Sequence, residues 1–291
     1  MNMREAFVKS TIDILKKDEK SSLILAGISV ESFREVLNLF PERVFDAGIM
    51  EQGAIGIAAG MAATGMVPIF HTIAPFLAER AFEQLKIDFG YQRLNGNFVS
   101  NGASIDYSSF GATHQCPAEM SLMKQIPNMQ IIVPGTADEF VSLFFENYNN
   151  GYPTYYRLSR EQNEESYDVK IGKAIVVKKG SKATVIAVGP MLRTVMKALS
   201  DENVTVLYYS SIEPFDRETL RDYYNRKIVI CEPYYSGGIL HDVVEALNGK
   251  ELMISQFGMP HEFCSHYGST VENMQGWKLT AQELKKIVCG E

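Results

Sequence analysis

A single carboxylate, Glu51, stands at the start of a segment built from small apolar residues. No charged side chain occurs from Gln52 to Phe70, and Gly and Ala dominate the residues that follow the acid. Glu51 could simply open a helix, because carboxylates are favoured at the positive helix end. Small side chains also let a flat ligand or another backbone approach closely, and an acid beside such a surface can share a proton with a ring nitrogen. Glu51 is therefore the first candidate for chemistry.

Two further polar groups are candidates for contact with a substrate. His114, in the sequence THQ, is of the residue type that holds or moves a proton near neutral pH, although a lone loop histidine is more often a hydrogen-bonded structural residue. Arg160 ends the sequence YYRLSR, where it is either a surface cation or a bidentate ligand for phosphate or carboxylate. Arg157, in the same sequence, is the alternative.

The sequence HEFCSH places His261, Cys264 and His266 close together. Their spacing fits no standard zinc pattern, so we expect no metal ion there. The four cysteines of the chain show no CxxC pairing, which predicts free thiols in a reducing cytoplasm.

Composition narrows the classes of partner. A formal net charge of −7 argues against nucleic acid or an anionic membrane as the main partner, but it allows a small phosphorylated ligand because a binding site is local. No apolar run approaches the ~20 residues that a membrane-spanning helix needs, and the first residues lack the apolar core of a signal peptide.

The elements that must position these candidates alternate along the chain. Short apolar runs such as SSLILAGI and KIVICEP are typical of buried strands, and helical patterns separate them, which predicts βαβ units and parallel sheets covered on both faces. A polar, acidic stretch interrupts this alternation. The sequence thus predicts an α/β fold of two domains with mainly parallel sheets flanked by helices: residues 1–160, a linker of residues 161–170, and a smaller domain of residues 171–291.

Helix signals locate three boundaries. Ser29 is a candidate cap for a helix in SVESFREVLNLF, and Pro75 to Leu94 has the pattern of one long helix. The last helix begins near Thr280, where Glu283 completes a capping-box spacing.

The sequence FDAGIMEQGAIGIAAGMAATG resembles the cofactor-activating motif of the transketolase family of thiamine-diphosphate enzymes. In that family the glutamate of GIxEQ hydrogen-bonds a nitrogen of the aminopyrimidine, which promotes loss of the proton from the thiazolium carbon. The resemblance implies this role for Glu51, and it implies that the small-sided helix packs in a subunit interface. HTIAPFLAERAFEQL is similar to the family's aromatic segment, which implies that Phe76 stacks on the pyrimidine and that Ile73 also contacts the cofactor.

Further motifs follow in the order of the family. GATHQCPAEMSLMKQIPNMQIIVPGTADE resembles its GxTHQ and IPN run, which implies that His114 points at the bound substrate. YYRLSR resembles a strand ending in a phosphate-binding arginine, which implies that role for Arg160 rather than Arg157. The second domain resembles the family's C-terminal domain through ATVIAVGP, CEPYYSGGIL and FGMPHEF, and the last of these explains the HEFCSH segment without a metal.

The family's diphosphate and magnesium site is marked by a GDG sequence, which does not occur in this chain. The resemblance therefore implies the C-terminal subunit of a split transketolase. An N-terminal transketolase subunit with the GDG motif would hold Mg²⁺ and the diphosphate of thiamine diphosphate, and an α2β2 heterotetramer is expected.

The residue types differ from those of the family at several positions that contact the sugar in the family. Phe110 stands where typical transketolases have an aspartate in GEDGPTHQ, Gly102 stands at the place of a sugar-phosphate histidine, and Val30 at that of a second aspartate. Asp106 is a candidate to compensate from a shifted loop. The resemblance thus supports the carbon–carbon chemistry more than the pentose-phosphate substrates, and a modified sugar is a plausible acceptor.

The function implied is transfer of a two-carbon ketol or acyl unit from a ketose or 2-oxo acid to an aldehyde or ketone. Two alternatives remain open. One is the beta subunit of a 2-oxo acid dehydrogenase, against which the THQ and IPN sequences argue, and the other is a non-catalytic scaffolding half. A nucleotide-binding module is disfavoured, because no GxGxxG or Walker sequence is present.

Overall fold

The computed structural model describes residues 1–290 and contains twelve strands. In chain order they are β1 (Ser21–Leu25), β2 (Val44–Asp46), β3 (Val67–Ile73), β4 (Gly96–Asn101), β5 (Gln130–Ile132), β6 (Pro153–Arg157), β7 (Ile175–Lys178), β8 (Thr184–Val188), β9 (Thr205–Tyr209), β10 (Ser211–Glu213), β11 (Lys227–Tyr235) and β12 (Met253–Met259). They form a seven-stranded sheet of order β10-β5-β6-β4-β3-β1-β2 and a five-stranded sheet of order β12-β11-β8-β9-β7. Both sheets are mostly parallel, which confirms the predicted α/β fold.

Helices flank both sheets. They are α1 (Met3–Lys17), α2 (Arg34–Leu39), α3 (Glu51–Ala63), α4 (Phe82–Gln84), α5 (Glu119–Met123), α6 (Ala137–Asn147), α7 (Met191–Leu199), α8 (Arg217–Tyr223), α9 (Leu240–Ala246), α10 (Thr270–Gly276) and α11 (Ala281–Cys289). Short 3₁₀ turns cover Glu31–Phe33 and Ser108–Phe110, and π-helical turns cover Phe76–Arg80 and Leu85–Tyr91. Within residues 1–290, none of the helices is long and apolar enough to cross a membrane.

Alternate residues of each central strand enter different cores. Leu23 and Leu25 of β1 belong to one buried cluster and Ile24 to the other, and Val185 and Ile186 of β8 divide in the same way. Successive side chains of a strand point to opposite faces of a sheet. Both sheets are therefore covered on both faces, and each core combines residues from before and after the predicted linker.

The second domain contributes one strand to the first sheet. β10 pairs antiparallel with β5 at the sheet edge, and Val133 N donates to the carbonyl oxygen of Ser210 next to it at 2.7 Å. Residues 161–170 contain no helix or strand, apart from an isolated bridge between Lys170 and Lys173. The two sheets are thus joined by a shared edge as well as by this segment.

The three helix boundaries have different outcomes. The prediction for Thr280 is confirmed, because its side chain accepts from Glu283 N at 3.3 Å and α11 follows. The prediction that Ser29 caps a helix is wrong, because its hydroxyl lies 2.9 Å from His71 Nε2 and accepts from Arg4. The segment after Ser29 forms a 3₁₀ turn before α2. The prediction of one long α-helix from Pro75 to Leu94 is also wrong, because π-helical turns lie on either side of the short helix α4.

Candidate active site

The candidate residues follow the carboxyl ends of parallel strands in the first sheet. Glu51 begins α3 after β2, Ile73 ends β3 and Phe76 follows it, His114 lies in the loop after β4, and Arg160 follows β6. Ligands of open α/β sheets bind outside the carboxyl ends of the strands. The connectivity of the sheet therefore places residues that are distant in sequence at the same end of the strands, the carboxyl end.

Glu51 is buried, and its two carboxylate oxygens differ. Its exposed fraction is 1%, and Arg80 Nη1 donates to Oε2 at 2.7 Å. Oε1 is buried and has no hydrogen-bond partner within residues 1–290. Buried polar atoms without a partner are rare, because the desolvation of such an atom is then uncompensated. Oε1 is thus able to accept a hydrogen bond from a further group.

Phe76 connects this acid with the histidine. The Arg80 guanidinium carbon lies 4.1 Å from the centroid of the Phe76 ring, and the ring centroids of Phe76 and His114 are 5.5 Å apart at an interplanar angle of 70°. Ile73 is half-buried at the end of β3, three residues before Phe76. The structure therefore joins Glu51, Phe76 and His114 through Arg80, a residue that sequence reasoning missed.

His114 contacts three aromatic rings and a hydroxyl. Besides Phe76, the Phe110 ring centroid lies 5.1 Å from that of His114 with a tilt of 34°, and the Tyr107 centroid lies 6.5 Å away. Thr113 Oγ1 lies 2.9 Å from His114 Nδ1. Phe110 itself is 59% exposed. Phe110 thus packs on the histidine and leaves an apolar surface open.

Tyr107 is a second site residue that sequence reasoning missed. A Cβ placed on Gly102 would lie 2.1 Å from Tyr107 Cε2, so the tyrosine ring fills the space that a side chain at 102 would need. Asn101 Nδ2 donates to the Tyr107 hydroxyl at 2.6 Å, and the Arg160 guanidinium carbon lies 4.9 Å from the ring centroid. Tyr107 therefore fills the space beside Gly102 with an aromatic ring and lies between Arg160 and the rings of Phe110 and His114, all of which it contacts.

Arg160 and Arg157 have different environments. Arg157 is buried and donates through Nε to Glu119 Oε1 at 2.8 Å and through Nη2 to Ser104 Oγ at 2.7 Å. Arg160 is exposed. Only Arg160 has a guanidinium accessible to an anionic ligand, which favours the choice made from its motif, and that role stays a prediction.

Asp106, the candidate to compensate for the missing aspartate, is buried and bonded to the backbone of Arg160. It is 6% exposed, and its Oδ2 accepts from Arg160 N at 2.9 Å. Burial raises the pKa of this carboxyl to about 7, although Arg157 and the Arg160 backbone N–H act in the opposite direction. Val30 has an apolar, partly buried side chain that packs against the core. It therefore cannot supply the polar group of an aspartate.

Replacing Asp106 by Asn should flatten the pH dependence of stability. Because the folded pKa of Asp106 lies above its unfolded value, the native state keeps a proton that the unfolded state releases, so this group lowers stability as pH rises from about 4 through about 7. Asn can still accept from Arg160 N. We expect the melting temperature of Asp106→Asn to fall less than that of the wild type between about pH 5 and pH 8. Asp201→Asn, at an exposed position, is the control, and identical slopes for all three proteins would contradict the assignment.

A loop of the second domain contacts the loop that carries His114. A Cβ on Gly111 would lie 2.4 Å from Tyr267 Cε1, and Gly111 has φ +73°, so this position suits only glycine. Thr270 Oγ1 also donates to the carbonyl oxygen of Ile105 at 3.1 Å. Tyr267 remains 69% exposed. The second domain thus supplies an aromatic ring to the rim of the loop that carries His114.

The HEFCSH residues make separate contacts in this loop. The ring of His261 packs on Tyr235 with centroids 4.8 Å apart, and Cys264 Sγ lies 3.6 Å from the carbonyl oxygen of His266. Across residues 1–290, no three His, Cys, Asp or Glu side chains are grouped so that they could hold a metal ion.

Comparison with known families decides the relationship. Residues 1–165 match the transketolase pyrimidine-binding domain, and residues 172–281 match the transketolase C-terminal domain. The chain belongs to the transketolase family. All six residues proposed from the sequence lie in the pyrimidine-binding domain of this transketolase-family chain, whereas Tyr267 comes from its C-terminal domain.

Individual relatives agree with this assignment. The chain is 33% identical over 292 residues to an uncharacterised 33.6 kDa protein in the fasciation locus of Rhodococcoides fascians, covering 99% of this chain and 94% of that protein. It is 31% identical over 277 residues to 1-deoxy-D-xylulose-5-phosphate synthase of Shewanella amazonensis, covering 91% of this chain but only 44% of the synthase. A solved structure described as a split gene transketolase, inactive beta4 tetramer, matches with a TM-score of 0.88 and 27% identity, covering 100% of this chain and 98% of that one.

Proposed function

We propose that the chain is the C-terminal subunit of a thiamine-diphosphate-dependent, transketolase-like enzyme. The reaction is transfer of a two-carbon ketol or acyl unit from a ketose or 2-oxo acid to an aldehyde or ketone. The observation that carries this proposal is the buried, unpartnered Oε1 of Glu51. The other oxygen, Oε2, accepts from Arg80, whose guanidinium lies over the Phe76 ring. An open acceptor beside an aromatic ring fits an aminopyrimidine, which is flat and carries a nitrogen that can share a proton.

Four residues of this chain then have defined roles. When bound, the cofactor supplies the electron sink for carbon–carbon bond cleavage and formation. Glu51 would share a proton with the cofactor's pyrimidine through Oε1, and Phe76 would pack against that ring. His114, held by Phe110 and Thr113, holds or moves a proton on the substrate. The exposed guanidinium of Arg160 binds a phosphate or carboxylate of the substrate.

The other half of the cofactor site is proposed to come from a partner. An N-terminal transketolase subunit with the GDG motif would bind Mg²⁺ and the diphosphate, in an α2β2 heterotetramer. The exposed face of α3 supports a subunit interface, because it presents Gly53, Gly56 and Gly60 beside Ile57, which is 42% exposed, and Ile49 before the helix is 80% exposed. Exposed apolar surface of this kind marks interaction sites.

A cytoplasmic location is also proposed. Cys116, Cys231 and Cys264 are buried, and none of the three is in a disulfide. Thiols of this kind suit a reducing compartment.

The proposal is tested by reconstitution. The chain is assembled with an N-terminal transketolase subunit that carries the GDG motif, and transfer from hydroxypyruvate or pyruvate to an aldehyde is measured with and without thiamine diphosphate and Mg²⁺. We expect transfer that depends on both additions. Reaction only with a lipoyl carrier would support a 2-oxo acid dehydrogenase beta subunit, and full turnover by a Glu51 variant would support a scaffolding half.

Phe110 should shift the enzyme away from the common pentose phosphates. A phenylalanine offers no acceptor to a sugar hydroxyl, and burying an unpaired hydroxyl against it costs roughly 1–3 kcal/mol. Xylulose 5-phosphate and ribose 5-phosphate should therefore be poor substrates, and a donor or acceptor with an apolar, deoxygenated or planar group should be favoured. The name of the Shewanella synthase, which specifies a 1-deoxy sugar phosphate, is compatible with such chemistry.

We expect Phe110→Asp to raise kcat/KM for the pentose-phosphate pair relative to the wild type in the assembled enzyme. An aspartate restores an acceptor at this position. Phe145→Asp, on α6 and 36% exposed, controls for the added charge. Ordinary transketolase efficiency of the wild type on these sugars would show that Phe110 marks no change in specificity.

A further inference from the structure

The guanidinium group of Arg80 contacts two residues of the proposed cofactor site. Its Nη1 donates to Glu51 Oε2 at 2.7 Å, and its guanidinium carbon lies 4.1 Å from the centroid of the Phe76 ring. Within residues 1–290, the ion pair with Arg80 is the only one that Glu51 makes. A carboxylate that is 1% exposed needs such a partner, because burial of an unpaired charge is strongly unfavourable.

The backbone conformation suits this arrangement. Phe76 and Arg80 are the first and last residues of a π-helical turn. Single π-helical turns are rare, and they are frequent at functional sites. The turn places the cation of Arg80 over the ring at its start, where it can also reach the acid at the start of α3.

The ion pair makes the two oxygens of Glu51 inequivalent. Oε2 is occupied by Arg80, so rotation of the carboxyl group would break a charge-assisted hydrogen bond, which is among the stronger kinds. Oε1 is left as the single open acceptor. An isolated carboxylate could present either oxygen in several rotamers, whereas this one presents a defined atom.

We propose that Arg80 is a positioning residue: it holds Glu51 so that Oε1 faces the pyrimidine nitrogen, and it fixes the Phe76 ring beside it. This inference rests on the proposed function. Lysine is not an adequate replacement, because an ammonium group is a point charge without the planar fork that bonds an acid and stacks on a ring together. Displacement of a reacting group by about 1 Å can cost about 100-fold in rate.

The first test uses the chain alone, without cofactor. Urea unfolding is measured for the wild type, Arg80→Ala, Glu51→Gln and the double variant. Arg80→Ala should lower the unfolding midpoint at least about twice as much with Glu51 present as with Gln at that position, because only the carboxylate is left as an unpaired charge. Equal shifts in both backgrounds would show that the ion pair does not hold Glu51, and would overturn the inference.

The second test separates positioning from a purely structural role. In the assembled enzyme, Arg80→Ala should slow proton–deuterium exchange at the thiazolium carbon by about 10- to 100-fold, and Arg80→Lys should recover only part of this loss. Because the Arg80 side chain is 40% exposed, added guanidinium ions should restore exchange to Arg80→Ala. Lys86→Ala is the matched control: it removes a cation of the same helical segment whose Nζ lies 5.9 Å from the centroid of the Phe82 ring.

The outcomes separate this inference from the proposed function. Faster exchange or tighter cofactor binding by Arg80→Ala would mean that Arg80 competes with the cofactor, and wild-type exchange would mean that it has no role. Either result, with exchange still blocked by Glu51→Gln, overturns only the positioning by Arg80. Unchanged exchange in Glu51→Gln itself would instead overturn the proposed function.

Discussion

Glu51→Gln in the assembled enzyme should lower the rate of proton–deuterium exchange at the thiazolium carbon by about 10²- to 10⁴-fold, the usual range for a lost acid–base group. The amide keeps the shape of the side chain and can occupy the same buried position. It cannot share a proton with a ring nitrogen in the way that a carboxylate does. Exchange followed by rapid quench and NMR measures this step without knowledge of the substrate.

The control for this variant is Glu83→Gln, an exposed glutamate on α4, which should exchange at the wild-type rate. Circular dichroism should be unchanged for both variants. Wild-type exchange by a correctly folded Glu51→Gln protein would remove Glu51 from the activation of the cofactor.

The isolated chain should bind thiamine diphosphate with no useful affinity, even with Mg²⁺ present. The diphosphate carries most of the ligand's charge, and neutralising it requires a metal and its ligands. Within residues 1–290 there is no cluster of three or more His, Cys, Asp or Glu side chains placed to hold that metal. Calorimetric titration of cofactor and Mg²⁺ into the purified chain measures this.

The same titration of the chain assembled with its GDG-containing partner should give clear binding. Micromolar affinity of the chain alone would contradict the division of the site between two subunits. Failure of both preparations to bind would point to the wrong partner or to a scaffolding role.

Local sequence patterns were sufficient to select Glu51 and His114 as candidates and to predict mainly parallel sheets around them. Glu51, Phe76 and His114 lie in short motifs, and parallel strands separated by helices bring the ends of those strands to one edge. The structure indeed connects these three residues through side-chain contacts. The burial of Glu51 also follows from the small residues after it, which allow close packing.

Contacts between distant segments could not be predicted in the same way. Arg80 is one of several charged residues in its segment, and only the π-helical turn aims it at Glu51. Tyr107 is recognisable only once its ring is seen in the space beside Gly102. Tyr267 contacts Gly111 from the other domain, and no sequence pattern in either segment indicates this contact.

The edge strand β10 has a consequence for how this chain can be divided. Ser211–Glu213 closes the first sheet beside β5 although it belongs to the second domain. A cut within residues 161–170 would leave the edge of β5 unpaired, and exposed strand edges promote aggregation. The two halves should therefore unfold as one cooperative unit, and a chimera that exchanges the second half for that of a relative must supply a strand at residues 211–213 in matching register.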